Sequence, residues 1–489
     1  MTIQIIVISV YLLFVLIWGF YHGRKVKNTE EFAIAGRKLP GWAAALSERA
    51  TGESSWALLG LPGAAYALGL TEIWTAIGCV AGIVTAWIII AWRLRDAAEK
   101  YNANTFTDLV AQMHPEYAKW LRVVVSSTII FFFFLYIGAQ FIGSGKTFNS
   151  LFGLNANIGI IIMFIIVVPK TIYGGFRSVV YSDVIQAMLM ITALVIGPLA
   201  GFFYISNHPE LFAQSISTAI TNAGNNYSSL TGAASGYTSG IIIATGFSWF
   251  FGYLGGMPQL STRFMAIKDR KNTNLARNIG VLWTVVAYTG ALCIGWIGIA
   301  VFGPKGLTDQ EQVMPELMKV LFHPALATLL ITGAIAAMIS TADSLLVLSA
   351  TELYDNLIKP FFKNNKQKRE NSLLLSRLIT TILALVALVF AFITPQKLIF
   401  NIVGYVWAGV GCTLSVVILF SLFWKRFHGK AALITAATGL VLSIFWIAAG
   451  FNQYINARIL VFFVCIGVAI ISTFLLKKND VQKKSESEK

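Results

Sequence analysis

Long apolar runs separated by short polar segments fill this chain from end to end. A helix needs about 20 apolar residues to cross a bilayer. Runs of that length recur over 3–21, 42–69, 72–92, 122–148, 157–173, 184–206, 237–257, 278–303, 324–352, 374–393, 399–422, 431–449 and 459–476. The pattern predicts an all-α polytopic membrane protein of about thirteen transmembrane helices, with residues 1–476 as one membrane domain. The first run has no small-residue cleavage site and passes into a basic loop, so it reads as a retained helix and not as a signal peptide. Composition agrees. The chain is 56% hydrophobic and 12% charged, with mean hydropathy +0.71, whereas soluble chains carry about 25% charged residues.

Three runs are interrupted. Residues 42–69 contain SERATGESSW, which places Glu48, Arg49 and Glu53 at membrane depth. A charge there costs at least ~2.5 kcal/mol on insertion scales, so such residues line a cavity or pair with one another. Gly52 weakens the helix locally, and broken helices at membrane depth build transporter sites. Arg49 and Glu53 are spaced i,i+4 and are expected to pair, with Glu48 nearer the cytoplasmic vestibule. The competing reading gives Glu53 to an ion site. The second interruption, GYLGGMP, places Gly252, Gly255, Gly256 and Pro258 within seven positions. It predicts a break beside Trp249 and Tyr253, an aromatic pair at i,i+4 that suits a small amphipathic solute. The third, GAIAAMISTADSLL, gathers Ala336, Ala337, Ser340, Thr341, Asp343 and Ser344 within a few turns. Hydroxyls, carbonyls and a carboxylate suit a hard cation such as Na⁺. Asp183 and Tyr136 are further polar candidates, with helix capping and plain packing as their respective alternatives.

The net charge of +15 does not indicate nucleic acid, because most of the 37 basic residues fall in alternate loops and none falls in 207–235. This asymmetry predicts an external N-terminus and a cytoplasmic C-terminus, ending in a disordered basic tail at 477–489. Cys79, Cys293, Cys412 and Cys465 lie in apolar runs without metal-type spacing, and the five histidines lie in loops or at span ends. Nothing resembles a hydrolase elbow, a zinc-protease motif or a P-loop. The sequence therefore predicts no enzyme, and uphill transport would need an ion gradient.

The motifs AGRKLPGW at 35–42, ALS..A...SW.LLGLPGA at 45–64, FRSVVYSDVIQA at 176–187, SWFFGYLGGMPQLSTRFMA at 248–266 and AAMISTADSLL at 336–346 resemble the sodium/solute symporters, most closely their bacterial proline-carrying branch. The resemblance covers nearly the whole chain. It implies a five-plus-five inverted repeat, about 42–206 and 237–422, with one extra N-terminal and two extra C-terminal helices. It implies Na⁺-coupled import of a small solute, proline first, across a bacterial plasma membrane, with the single chain as the functional unit. Another amino acid, a monocarboxylate or a sugar acid such as sialic acid is the alternative solute, and a membrane sensor or channel is the alternative class.

By the same resemblance, Na⁺ would bind carbonyls of Ala50, Glu53 and Ala337 and hydroxyls of Ser340 and Thr341. A second Na⁺ site would use Asp183, Ser340, Asp343 and Ser344. The solute pocket would use Ser54, Ser55, Trp56, Tyr136, Trp249, Tyr253 and Pro258, with Arg37 functionally important before the first broken helix. The carboxylate is expected at Ser54, Ser55 and the unwound backbone near Gly52 and Gly255. The chain departs from the proline-carrying branch at one cluster. Gly52 stands where that branch has an aspartate, Glu53 replaces an apolar residue, Arg49 a glycine and Glu48 a small residue.

Overall fold

The computed structural model describes residues 2–24, 32, 34–362, 372–395 and 397–476, so the basic tail at 477–489 lies outside it. Among the described residues ten helical stretches are long and apolar enough to cross a membrane. The first is α1 (Thr2–Gly23). The stretch Gly41–Lys100 is the second candidate crossing, at 60 residues. It begins with α2 (Gly41–Ser55), passes through a π-turn at Trp56–Gly60 and continues as α3 (Leu61–Leu68). Next come α4 (Ala118–Phe152) and α5 (Ala156–Asn207). At 52 residues α5 merges two expected spans, 157–173 and 184–206, across a kink at Gly175, where φ is 55°. The expected span 237–257 is too interrupted to count as one helix. It consists of Tyr237–Phe247, then α6 (Trp249–Gly252), a non-helical turn, and α7 (Pro258–Ala266). Beyond it lie α8 (Arg270–Phe302), α9 (Pro324–Thr351), α10 (Ser372–Ile393), α11 (Ile399–Val406) and, last, α12 (Ala457–Leu475). By length and composition the described residues hold ten candidate crossing stretches, of which Gly41–Lys100 and α5 each span two of the expected runs, so the count of thirteen is not confirmed.

The long helices α4, α5, α8 and α9 pack around the broken ones. Close approach depends on small residues, as expected where lipid supplies no hydrophobic drive between helices. A Cβ on Gly290 of α8 would lie 2.0 Å from the Leu194 carbonyl oxygen of α5. Helix α9 is buried over most of its length, which permits its polar sequence at this depth.

Two of the three interruptions are real breaks, one of them displaced from its expected place, while the polar run in 324–352 lies within the unbroken helix α9. In α2 the backbone stays helical through Gly52 and breaks at Ser54, which takes φ 53° and ψ −165°. Such a conformation costs a non-glycine residue roughly 1–3 kcal/mol and persists only where its surroundings hold it. Three bonds do so. Ser54 Oγ accepts from the Trp56 amide at 3.0 Å and from Tyr136 Oη at 3.0 Å, and Gln140 Oε1 accepts from the Ser55 amide at 3.0 Å. The second break is where the glycines place it. Gly255 has φ 86°, and a Cβ on Gly256 would meet the Gly411 carbonyl oxygen at 2.1 Å. The entry to the first broken segment is tied to the exit of the second, since Leu39 donates to the Ala266 carbonyl and Lys268 to that of Leu39, each at 3.1 Å.

Candidate functional site

Helices α2 and α9 cross so that hydroxyls from both meet just before the Ser54 break. Thr341 Oγ1 donates to the Thr51 carbonyl at 3.1 Å. Thr51 Oγ1 lies 3.0 Å from Ser344 Oγ and 3.4 Å from Ser340 Oγ. All four side chains are fully buried. Ala50 and Glu53 lie in the last two turns of α2, where the Glu53 carbonyl accepts from the Trp56 amide, and Ala337 lies one turn before Thr341 on α9. Carbonyls at a helix C-terminus carry partial negative charge and lack intrahelical partners. Hydroxyls and carbonyls of this kind fit a small hard cation. Thr51, which the sequence reading did not single out, stands at the centre of the set.

Of the four residues expected to form a second ion site, Asp183, Ser340 and Ser344 meet at Thr51, whose Oγ1 lies 3.4 Å from Asp183 Oδ2, and only Asp343 is drawn away. Asp183 Oδ2 accepts from Ser47 Oγ at 2.6 Å and from Arg263 Nη2 at 3.1 Å, and the same Nη2 reaches Ser344 Oγ at 2.6 Å. Asp343 instead pairs with Lys170 and Thr171 of α5. Both acids are fully buried and both already face a cation.

Aromatic rings crowd the far side of the Ser54 break. Trp56 and Trp249 lie with centroids 4.4 Å apart, Trp249 and Trp407 5.6 Å, Tyr253 and Trp407 5.2 Å, and Tyr136 and Trp407 5.9 Å. Tyr253 Oη and Tyr288 Oη are 3.0 Å apart, and Phe400 closes over Trp56 and Trp249. The box thus unites Ser54, Trp56, Tyr136, Trp249 and Tyr253. Pro258 is buried at the start of α7, and Ser55 Oγ has no hydrogen-bond partner among the described residues. A small cavity, with room for about one water, adjoins the box through Tyr253, lined also by Glu48, Gly255, Met257 and Leu260. Arg37 lies away from this centre. It bonds the Ala98 carbonyl, Asn102 and Asn104 at 2.9–3.2 Å.

The expected Arg49–Glu53 pair is not formed. Arg49 grips its neighbour Glu48 with two bonds, Nε to Oε2 at 2.5 Å and Nη2 to Oε1, and Nη1 donates to Thr284 at 3.2 Å. Trp87 adds a bond to Glu48 at 3.2 Å. Glu53 turns the other way and accepts from Trp283 Nε1 at 2.6 Å, while its Oε2 has no partner among the described residues. The i,i+4 spacing is a template for exposed helix faces. Here the polar groups of α8 and the space over Gly52 select the partners.

The fold and its two breaks suit a transporter, and the sequence decides which kind. Residues 32–439 match the sodium:solute symporter family. The chain belongs to that family. The symporter is 32% identical over 447 residues to the high-affinity proline transporter PutP of Bacillus subtilis, covering 91% of this chain and 92% of that protein. It is 31% identical to the osmoregulated proline transporter OpuE of the same organism, covering 92% and 90%. With the sodium/proline symporter 2 of Staphylococcus saprophyticus it shares 32% identity, covering 90% and 85%. Among solved structures, a Na⁺-coupled sialic acid symporter in a substrate-bound outward-open state superposes with TM-score 0.77 at 17% identity, covering 97% of this chain and 98% of that one. Mhp1, a nucleobase-cation-symport-1 transporter, gives 0.52 at 14% identity, covering 88% and 97%. These two likenesses show a shared fold.

Sequence reading missed several residues that build the symporter's site. Gln140 and Lys170 are polar residues within apolar runs, a signal that was available, whereas Arg263 falls between two runs. Trp407 carried a weaker one, the glycines at 409 and 411 that follow it.

Proposed function

We propose that this symporter couples Na⁺ to the import of a small zwitterionic solute, proline first, by alternating access across a bacterial plasma membrane. The N-terminus faces outward, and the inverted repeats run over about 42–206 and 237–422. The observation that carries the reading is the Ser54 break itself. On one side it turns the carbonyl end of α2 towards Thr51, Ser340 and Thr341. On the other it turns Ser54 towards Tyr136, next to the aromatic box. One strained residue therefore separates the oxygen set from the solute pocket, and order imposed on either side limits the freedom of the other. That is the requirement for coupling two sites. Ala50, Glu53, Ala337, Ser340 and Thr341 would hold Na⁺, whose charge complements the C-terminal end of α2. Tyr136 and Gln140 fix the break, and the surrounding rings exclude water from an apolar pyrrolidine-sized group.

A second reading, another amino acid or an organic acid as solute, is favoured by the cluster Glu48, Arg49, Gly52 and Glu53, where this chain departs from the proline-carrying pattern. Uptake of a labelled solute panel into proteoliposomes separates the two. Proline accumulation under an inward Na⁺ gradient, but not under K⁺ or a proton gradient, is expected. Accumulation of a different solute moves the substrate, and accumulation indifferent to Na⁺ overturns the coupling.

A further inference from the structure

A broken transmembrane helix should offer free backbone N–H groups to an anion. Here four amides at the two turns are already used. The amides of Ser55 and Trp56 donate to Gln140 and to Ser54 Oγ. At the second break the Gly255 amide donates to the Tyr253 carbonyl at 2.7 Å, and that of Gly256 to Ser415 Oγ at 3.1 Å. Gly52 remains inside the helix.

The donors left over are side chains. The indole N–H groups of Trp56, Trp249 and Trp407 have no acceptor among the described residues, and each ring is at most 1% exposed. The three belong to one cluster of tilted rings, with Trp249 4.4 Å from Trp56 and 5.6 Å from Trp407 between centroids. Buried N–H groups are nearly always paired, because leaving one unmatched is costly. Three unmatched donors in one box therefore point to an acceptor that arrives from outside.

Charge agrees. Arg458, at the start of α12, lies buried with its guanidinium carbon 4.3 Å from the centroid of Trp249. Its Nε donates to Ser248 Oγ at 2.9 Å and its Nη2 to the Thr245 carbonyl at 3.1 Å, and it forms no ion pair among the described residues. A buried guanidinium without a carboxylate favours an anion nearby, since its field is weakly screened in so dry a place.

We propose that the solute's carboxylate is received by the indole donors of Trp56, Trp249 and Trp407, and not by the broken-helix backbone, with Arg458 as a positioning residue behind Trp249. The proposal rests on the reading of the solute as a small zwitterion, and it makes Trp407 a specificity-determining residue.

The test uses the full-length symporter in proteoliposomes. Wild-type uptake of proline comes first and examines the substrate reading alone. Should another solute be carried, the comparison below uses that solute and its amide, and a carried solute without a carboxylate overturns the inference. Trp407→Phe keeps a ring and removes the N–H. It should raise the apparent proline constant about tenfold or more, the usual loss for a hydrogen bond to a charged group. The maximal rate should be kept, and the preference for proline over prolinamide as competitor should shrink. Trp56→Phe should act in the same direction. Arg458→Gln should raise the proline constant and Arg458→Lys should restore part of it, whereas a purely structural arginine would alter the melting temperature and maximal rate instead. The proposal is overturned if correctly inserted Trp407→Phe and Trp56→Phe leave the proline constant unchanged, or weaken proline and prolinamide equally.

Discussion

The Arg49 guanidinium lies over Gly52, with Nη2 3.3 Å from the position that a Cβ on Gly52 would occupy. The two residues are matched. The aspartate that the resemblance implies at 52 would press on the arginine that this chain places at 49. From the other side, Leu260 approaches the same point to 3.1 Å.

Gly52→Asp alone should therefore destabilise the protein by ~1–3 kcal/mol through overpacking and reduce transport. Arg49→Gly together with Gly52→Asp removes the obstruction. Thermal melting of the purified variants checks this. Recovery in the double variant supports the match, and two additive losses contradict it.

Arg49 is committed to Glu48, which leaves Glu53 as a buried carboxyl on Trp283 with one oxygen unpartnered. Breaking a buried pair from one side costs ~3–5 kcal/mol, whereas replacing both partners is often nearly neutral. Glu48→Gln and Arg49→Gln should each lose stability, with much of it regained in the double variant. Glu53→Gln should instead raise the apparent Na⁺ constant about tenfold, the size of one charged contact, without affecting that cycle. If Glu53 and Arg49 show the coupling and Glu48 does not, the observed pairing is wrong.

Ser340→Ala and Thr341→Ala each remove one hydroxyl from the set around Thr51. Each should raise the apparent Na⁺ constant by roughly 10–100-fold, from about 1.5–3 kcal/mol per contact to a charged group. Sodium titration of proline uptake measures this, and unchanged constants in both variants would remove the site.

The breaks were legible in the sequence to different degrees. Gly255, Gly256 and Pro258 marked the second because glycine and proline act through their own backbones. The first was expected at Gly52 and occurs at Ser54, because its conformation is imposed by Tyr136 and Gln140 from α4. Helical spacing suggested Arg49 with Glu53, yet the groups that select their partners, Trp283 and Thr284, lie more than 200 positions away. Ser340, Thr341, Trp249 and Tyr253 were readable as polar or aromatic residues beside a break. Their meeting with Thr51 and Trp407 depends on tertiary contacts that no local pattern carries.

Outside the spans, His114 is buried with Nε2 2.8 Å from Ser421 Oγ, and burial lowers its pKa from 6.5 to about 4. The unfolded chain therefore binds this proton more readily than the folded one. The contribution to stability is complete above pH 6.5 and is lost as pH falls towards 4, by roughly 3 kcal/mol in total. Melting curves between these limits should show a steeper acid loss in wild type than in His114→Gln, and parallel curves would exclude the residue as the cause.

The central claim is that the cation's oxygen set and the solute pocket are linked through Ser54. Equilibrium binding of proline to the purified protein across a Na⁺ titration tests it most directly. Na⁺ should tighten proline binding by about 5–150-fold, the usual range of site-to-site coupling, and proline should tighten Na⁺ binding by the same factor. Proline affinity that is independent of Na⁺ would contradict the account.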